Sequence, residues 1–185
     1  MKVFVFEGSR GVGKTTQATN VRQKVSEITL VNPTGFHANG EKGLSKIAHY
    51  YDAWIKFIME MSEHDSTLIF DRFFFSEKVF SMYKDYDFSQ YYEFFLKKLI
   101  AYSDVTVLFF TINDEAELKK RLIRDKVPFG DVEESVEQTM KQQNEYREVL
   151  IEAQDKFGLD IIEIDTTGKT PEEIEKEVFE IVGGI

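Results

Sequence analysis

The stretch GSRGVGKTT, residues 8–16, decides the fold class of this chain. It matches the pattern G-x-x-x-x-G-K-[ST], which begins at Gly8 and ends at Thr15. A strand-like run, KVFVF at 2–6, precedes it and a helical pattern over about 14–27 follows it, which is the context that this motif requires. Glycines let the backbone approach a ligand closely, and N–H groups at the start of a helix bind anionic oxygens. We predict that this loop, a P-loop, holds the phosphates of a nucleotide.

Two side chains of the loop have predicted chemical roles. Lys14 is expected to reach the β- and γ-phosphates of ATP, and the Thr15 hydroxyl is expected to hold Mg²⁺. The whole loop is predicted to bind ATP through Gly8, Ser9, Arg10, Gly11, Val12, Gly13, Lys14, Thr15 and Thr16. The alternative is a glycine-rich turn between strand and helix that binds no ligand.

The composition restricts the class of partner. The 185 residues favour a single domain over 1–185, and the net charge of −10 disfavours non-specific binding to nucleic acid or to an anionic membrane. There is no cysteine, which excludes disulfides and thiolate metal sites. No apolar run reaches the roughly 18 residues of a membrane span, and the apolar stretch after Lys2 is too short for a signal peptide. We therefore expect a cytoplasmic protein with small-molecule nucleotide substrates.

Strand-like and helical patterns alternate along the chain. Apolar, β-type runs lie at 2–6, 28–32, 67–71, 105–110 and 159–165, and the main later helical patterns lie at 43–64, 89–102, 132–157 and 171–182. Such alternation predicts an α/β fold, here a three-layer sandwich with a five-stranded parallel sheet and helices on both faces. Ligands of such sheets bind at the carboxyl ends of the strands.

Some polar residues leave two interpretations open. Gln143 and Arg147 interrupt the apolar stripe of the pattern at 132–157. In one interpretation they form a paired polar contact or an exposed break in the stripe. In the other, the helix passes a polar site at these residues. The three histidines, His37, His49 and His64, have no triad or metal-binding spacing, so we interpret them as structural or surface residues.

A second unusual stretch is TLIFDRFFFSEKVF, residues 67–80. Asp71 and Arg72 lie side by side among apolar and aromatic residues, where an unpartnered charge is costly. They form either a structural ion pair or a strand end that faces a charged ligand. The P-loop makes the second interpretation attractive, because both features then follow buried strands.

Several nucleotide-using classes fit the rest of the sequence poorly. A GTPase would need a guanine-reading N-K-x-D sequence, which this chain lacks. DTTG at 165–168 matches D-x-x-G, but it follows the last strand, too late for a switch. Motor ATPases are usually larger and more basic, so a small kinase fits best.

FEGSRGVGKTTQ together with FDRFFFSEKVF resembles the thymidylate kinase group of nucleoside monophosphate kinases, especially its short phage and bacterial members. In that group a later strand ends in D-R-[aromatic]-x-x-S, which here runs from Asp71 to Ser76. LKKRLIRD at 118–125 and the loop after it resemble the arginine-bearing lid, at about 121–135, and IDTTGKTPEEI at 164–174 resembles the adenine-side loop. The resemblance implies a small lid and a homodimer. It also implies that the protein acts in the bacterial cytoplasm, whether a phage or a bacterium encodes it.

The resemblance also implies roles for individual residues. Arg72 would grip the acceptor phosphate, since a planar guanidinium binds two oxygens, and Asp71 would lie near Mg²⁺ and the phosphates. Arg121 and Arg124 share a helix face, and at least one would cover the transferring phosphoryl group. The alternative for these two arginines is a solvated helix face paired with nearby acids. The catalytic candidates are thus Lys14, Arg72, Arg121 and Arg124.

Three departures from the group concern the acceptor. VNPTG at 31–35 lacks the group's R-E-P-G element, and the following helix has no arginine to read a thymine. Tyr51 and Trp54 still offer a stacking surface for a base, with core packing as the alternative. Arg10 replaces the acid that holds the acceptor sugar, so it would contact a phosphate or the lid.

The sequence thus predicts an enzyme. The expected activity is a Mg²⁺- and ATP-dependent deoxynucleoside monophosphate kinase that phosphorylates a (d)NMP such as dTMP. One alternative is a deoxynucleoside kinase, although those enzymes use a glutamate where this chain has Asn32. A second is a P-loop protein that binds nucleotide without turnover.

Overall fold

The protein is described here from a computed structural model that covers residues 1–33, 35–36, 38–125 and 130–183. Two predictions fall outside these ranges. His37 is one, and residues 126–129 of the proposed lid are the other.

Five strands form one parallel sheet, in the order β2-β3-β1-β4-β5. Helices cover both of its faces, so the predicted α/β sandwich with a five-stranded parallel sheet is confirmed. The strands are β1 (Lys2–Glu7), β2 (Ile28–Val31), β3 (Thr67–Asp71), β4 (Asp104–Thr111) and β5 (Asp160–Asp165).

Seven helices lie in the described part of the chain. They are α1 (Lys14–Lys24), α2 (Gly40–Met61), α3 (Phe74–Ser81), α4 (Ser89–Tyr102), α5 (Glu115–Arg124), α6 (Val132–Phe157) and α7 (Pro171–Val182). The helix after the P-loop ends three residues earlier than predicted because Val25 adopts an extended conformation. The pattern at 43–64 is displaced by three residues, since Asn39 is the N-cap and the helix begins at Gly40.

Alternate residues of the central strand supply two separate cores. Val3 and Val5 face the core beneath α2, α3, α4 and the second half of α6, whereas Phe4 and Phe6 face the core beneath α1, α5 and α7. This alternation is the two-residue period of a strand. Full burial of such a side chain is worth roughly 1.5–3 kcal/mol, so both faces anchor β1 firmly.

Helix α6 is fixed to the sheet by the polar residues that interrupt its apolar stripe. The Gln143 side-chain amide accepts a hydrogen bond from the Ile112 N–H (2.8 Å) and donates one to the Ile112 carbonyl (3.1 Å). Arg147 pairs with Glu163 at 2.9 Å. The first interpretation of these residues, a paired structural contact, is therefore the right one.

The register of the sheet brings the two charged stretches together. In the parallel pairing of β1 with β3, Phe6 lies opposite Asp71. The P-loop that follows β1 and the Asp71–Arg72 pair at the end of β3 consequently share the carboxyl edge of the sheet. Within the described residues, no helix is both long enough and apolar enough to cross a membrane.

Candidate active site

Gly8 fixes the start of the P-loop against the neighbouring strand. Its φ of +136° is rare for L side chains, and a Cβ built on it would lie 2.3 Å from the Phe110 carbonyl oxygen of β4. Gly13, with φ of +91°, is the N-cap of α1. Of the other loop residues, Ser9 is buried and Val12 packs into the core, so only the backbone of Val12 can serve a ligand.

Lys14 lies inside the loop, only 5% exposed. Its ammonium donates a hydrogen bond to the carbonyl oxygen of Ser9. Burial lowers the pKa of Lys14 well below its usual range, and the nearby Arg72 cation lowers it further. An anionic ligand in this loop would offset both effects, which is what a phosphate clamp requires.

Thr15 and Asp71 meet where the loop faces the end of β3. The Thr15 hydroxyl donates to Asp71 Oδ2 at 2.6 Å, and the Asn32 amide donates to the same oxygen at 3.0 Å. The other oxygen, Asp71 Oδ1, is buried and has no hydrogen-bond partner in the described part of the protein.

These oxygen atoms suit Mg²⁺. It binds oxygen ligands and often takes only one or two from the protein, with phosphates and water completing the shell. The described residues contain no cluster of three or more histidine, cysteine or acidic side chains that could hold a metal. The unsatisfied Asp71 Oδ1 beside the Thr15 hydroxyl therefore fits the predicted metal position.

Arg72 adopts a strained backbone conformation, with φ of 70°. Its N–H donates to the Phe6 carbonyl, while its Nη1 donates to the Tyr146 hydroxyl at 2.7 Å and to Ser76 Oγ at 3.1 Å. Burial disfavours the Arg72 charge, but Tyr146, Glu7 and Asp71 outweigh this effect and raise its pKa. The guanidinium is thus fixed and charged before any ligand arrives.

Glu7 is a residue of this site that the sequence analysis missed. It is fully buried and accepts hydrogen bonds from the Phe73 N–H (2.7 Å) and the Ser76 hydroxyl (2.6 Å), so it joins β1 to the turn that carries Arg72. Burial raises the pKa of Glu7 to about 7, although Arg72 acts in the opposite direction. The sequence did offer one indication of this role, because Glu7 is an acidic residue directly after an apolar run.

A cavity of about 530 Å³ opens beside Arg72, and we call it the Arg72 cavity. Arg10 and Arg72 both line it, close to the P-loop. Other walls come from the loop after β2, from α2, from α3 and the segment after it, and from α6. Among these residues are Asn32, Gly35, Tyr51, Glu77, Lys84 and Gln142.

The two aromatic residues predicted to stack on a base have different positions. Tyr51 borders the Arg72 cavity, but it is 2% exposed and its ring packs against Phe73 and Phe74. Trp54 does not line the cavity, because it packs edge-on against Phe70 in the core. The interpretation of Trp54 as a base-binding residue is therefore corrected to core packing.

A second cavity, of about 300 Å³, lies on the other side of the P-loop, and we call it the Arg121 cavity. Gly11, Gly13 and Thr16 border it from the P-loop side. Arg121 and Arg124 border it from α5, and Lys169 and Pro171 from the segment around the start of α7. The predicted adenine-side loop and the two lid arginines thus face one space.

The two arginines of α5 are engaged differently. Arg121 donates from Nη1 to Thr166 Oγ1 (2.9 Å) and from Nη2 to the Thr166 carbonyl (2.8 Å), and it also pairs with Glu117. Arg124 is exposed and pairs with Asp125 at 2.7 Å. In this conformation both arginines pair with nearby acids, as the alternative interpretation of them predicted. Neither lines the Arg72 cavity.

Comparison with known proteins gives a consistent fold. The sequence matches no family model, and it matches no curated protein. The YorR protein of Bacillus subtilis, in complex with phosphorylated GDP, is similar with a TM-score of 0.69 and 21% identity, over 98% of this chain and 96% of that one. Thymidylate kinase from Candida albicans is similar with a TM-score of 0.64 and 16% identity, over 99% and 91%. The chain has a P-loop nucleoside monophosphate kinase-like fold.

A third solved structure extends the same likeness. Deoxyadenosine kinase from M. mycoides with bound dATP has a TM-score of 0.61 and 14% identity, over 99% of this chain and 100% of that one. Nucleotide kinases with different acceptors therefore share this kinase-like fold. At these sequence identities the likeness shows only that the fold is shared. The residues that bear on the reaction are those of the two cavities that flank the P-loop.

Proposed function

We propose that the protein is a Mg²⁺- and ATP-dependent deoxynucleoside monophosphate kinase. The observation that carries this proposal is the pair of arginines, Arg10 and Arg72, that line one cavity next to the P-loop. A second cavity lies across the loop, as a two-substrate reaction requires. The fold shared with thymidylate and deoxyadenosine kinases supports the coarser part of this proposal, phosphoryl transfer to a nucleotide or a nucleoside.

The donor side is the P-loop with the Arg121 cavity. The triphosphate of ATP would lie along the backbone N–H groups of the loop, against Lys14, and its base would extend into the Arg121 cavity. The loop after β5 forms part of that cavity, and Arg121 ties this loop to α5 through Thr166. Arg121 would thereby position the donor site, and Arg124, which is exposed, would approach the phosphates on closure of the lid.

The acceptor side is the Arg72 cavity. Burial lowers the pKa of Arg10, and Arg72 lowers it further, so the cavity already carries closely spaced positive charge. A phosphate dianion would neutralise that charge, and the planar fork of Arg72 can hold two of its oxygens. This arrangement orients the acceptor phosphate toward the P-loop, and such positioning supplies much of the catalysis in phosphoryl transfer.

Thr15 and Asp71 would hold Mg²⁺ at the junction between donor and acceptor. When bound, the ion neutralises charge on the phosphate oxygens. Asn32, which donates to Asp71 Oδ2, would keep the carboxylate turned toward Thr15. Lys14 and Arg72 supply the fixed positive charge on either side of the reacting phosphates.

Other nucleotide-binding functions fit the cavity less well. A nucleoside acceptor would bring no charge to the two arginines, and it would need a carboxylate base near its hydroxyl group. Asn32 stands at the position where deoxynucleoside kinases use that glutamate, and it donates a hydrogen bond to Asp71. Binding of a single nucleotide without turnover would need only one cavity beside the P-loop, whereas this protein has one on each side.

An acceptor screen tests the proposal. ADP production is measured with each common nucleoside monophosphate and with each nucleoside, with and without Mg²⁺. We expect ADP only with monophosphates. Arg72→Ala should lower kcat/KM for a monophosphate at least about 100-fold, as the loss of a transition-state charge contact does.

Arg147→Ala is the matched control, because Arg147 forms a surface ion pair with Glu163 outside both cavities. Turnover of nucleosides in preference to monophosphates would favour the deoxynucleoside kinase alternative. No acceptor-dependent ADP with any of these compounds would refute both kinase functions.

A further inference from the structure

We infer that Glu77 selects the base of the acceptor, and that this base carries an amino group. The inference rests on the proposed function, since it names the substrate class of the Arg72 cavity. It departs from dTMP, the acceptor that the sequence resemblance implies, because thymine has no amino group.

Glu77 lines the cavity, and the protein uses only one of its two carboxylate oxygens for hydrogen bonds. The side chain is buried and lines the Arg72 cavity from α3. Its Oε1 accepts hydrogen bonds from the Lys84 ammonium at 2.6 Å and from the Tyr86 hydroxyl. Its Oε2 receives no hydrogen bond from the described residues, and it lies beside Gly35, another cavity residue, where an added Cβ would come within 3.1 Å.

The partners of Glu77 fix its orientation. Lys84 also donates to the Tyr86 hydroxyl at 2.7 Å, so the three groups form a closed cluster around Oε1. The Lys84 ammonium forms an ion pair with the Glu77 carboxylate, so the positive charge of one balances the negative charge of the other. An ionised carboxylate only accepts hydrogen bonds, so Oε2 requires a donor from whatever fills the cavity.

Glu77 is also in the right place relative to the acceptor phosphate. It directly follows Ser76, which contacts Arg72, so the two groups line one cavity from the same short segment of chain. At about 530 Å³ the cavity is within the usual size of small-molecule sites. A nucleotide whose phosphate binds Arg72 and Arg10 would extend its base along α3 toward Glu77.

The chemistry of the bases then separates them. Adenine, cytosine and guanine each carry an exocyclic amino group that can donate to Oε2. Thymine and uracil offer one N–H flanked by two carbonyl oxygens, which a carboxylate repels. A site built to receive a hydrogen bond rejects a ligand that cannot supply it, because its own buried group is left unpaired.

The first experiment uses the unmodified protein. Its kcat/KM is measured with dGMP, dAMP, dCMP and dTMP, and the best of these is compared with the analogue lacking the amino group, dIMP for a purine or dUMP for dCMP. We expect at least one amino-bearing nucleotide to exceed dTMP about 10-fold or more, and the analogue to lose a similar factor. A preference for dTMP, or equal activity with the analogue, would overturn the inference.

Glu77→Gln provides the reciprocal test. Lys84 and Tyr86 both donate to Oε1, so the carbonyl of the glutamine should take that position and its amide NH₂ should replace Oε2. The base would then meet a donor instead of an acceptor. We expect the ratio of kcat/KM for the preferred nucleotide over that for dTMP to fall about 10-fold or more. Glu60→Gln, the same change at an exposed position of α2, should leave the ratio unchanged.

Binding measurements without ATP separate this inference from the proposed kinase reaction. Calorimetric titration with the same four nucleotides should show the same order of affinity in the unmodified protein. That order without any turnover would refute the kinase and support the role of Glu77. Turnover with dTMP as the best acceptor would support the kinase and overturn the role of Glu77, and no binding of any nucleotide would overturn both.

Discussion

The guanidinium of Arg72 donates a 2.7 Å hydrogen bond to the hydroxyl of Tyr146, a residue 74 positions later in the sequence. Tyr146 is fully buried on α6, and burial raises its pKa to about 12, so the hydroxyl stays protonated. The bond joins the end of β3 to the helix that closes the Arg72 cavity. Arg72 has a strained backbone with φ of 70°, which persists only where surrounding contacts such as this bond hold it.

Tyr146→Phe should therefore impair the acceptor site while preserving the donor site. The guanidinium would lose one fixed partner, and its orientation toward the acceptor phosphate would become less precise. We expect kcat/KM for the acceptor to fall about 10-fold with the KM for ATP unchanged, and the free energy of unfolding to fall by about 2 kcal/mol. Steady-state kinetics with each substrate varied, together with urea unfolding, measures these effects.

Tyr92→Phe is the control for this substitution. Tyr92 is also a buried tyrosine whose hydroxyl contacts α6, through the Val149 carbonyl, but it lines neither cavity described above. It should alter stability without a selective effect on the acceptor. An equal loss of ATP affinity in Tyr146→Phe would show that Tyr146 acts on the whole fold rather than on Arg72.

Lys14→Ala should abolish turnover. The ammonium lies within the P-loop, where burial opposes its charge and lowers its pKa, so a stabilising role in the fold is not expected. Loss of a phosphate-binding cation typically costs more than about 100-fold in kcat. The measurement is ADP release at saturating ATP, and circular dichroism should show an intact fold.

Lys24→Ala offers a comparison within the same helix. Lys24 is an exposed residue of α1 that pairs with Glu175, away from both cavities. Its removal should leave turnover within about two-fold, as a surface ion pair contributes little. Near-normal activity of Lys14→Ala would contradict the assignment of the P-loop as the phosphate site.

The local features of the site were predictable from the sequence. The spacing from Gly8 to Thr15 specifies a loop between strand and helix, because few other residues permit such backbone geometry. Asp71 was expected at a strand end, since the buried run before it reads as a strand of a parallel sheet. Parallel strands bring their carboxyl ends to one edge, so the meeting of Thr15 with Asp71 followed from topology.

The contacts between distant segments were not predictable. In the sequence, Glu7 only follows an apolar run, and nothing nearby indicates a partner. In the fold it accepts hydrogen bonds from Phe73 and Ser76, which are more than 60 residues away along the chain. Helical spacing cannot distinguish Trp54, which packs in the core, from Tyr51, which borders a cavity, because both lie on apolar stripes of one helix. Glu77 and Lys84 are seven residues apart, but α3 ends at Ser81 between them, so helical spacing could not predict their contact.

Asp71→Asn should raise the Mg²⁺ requirement. The substitution keeps the shape of the side chain but replaces a carboxylate oxygen with a neutral group, and Mg²⁺ prefers charged oxygen ligands. We expect the Mg²⁺ concentration for half-maximal activity to rise about 10-fold or more. Activity is measured across a Mg²⁺ series at fixed ATP. Asp65→Asn, at an exposed loop position, should not change the requirement, and an unchanged requirement in Asp71→Asn would exclude Asp71 from the metal site.

Glu7 should make the free protein less stable as the pH rises through neutrality. Burial raises its pKa from 4.5 to about 7, so between these values the folded state binds a proton that the unfolded state has lost. The free energy of unfolding therefore decreases with rising pH in this window and levels off above it. From pH 5.5 to 7.5 the decrease should be about 2 kcal/mol, and Glu7→Gln, which cannot ionise, should lack this contribution. Urea unfolding of both proteins without nucleotide measures the difference; parallel pH profiles would show that Glu7 is ionised in the folded state throughout this range.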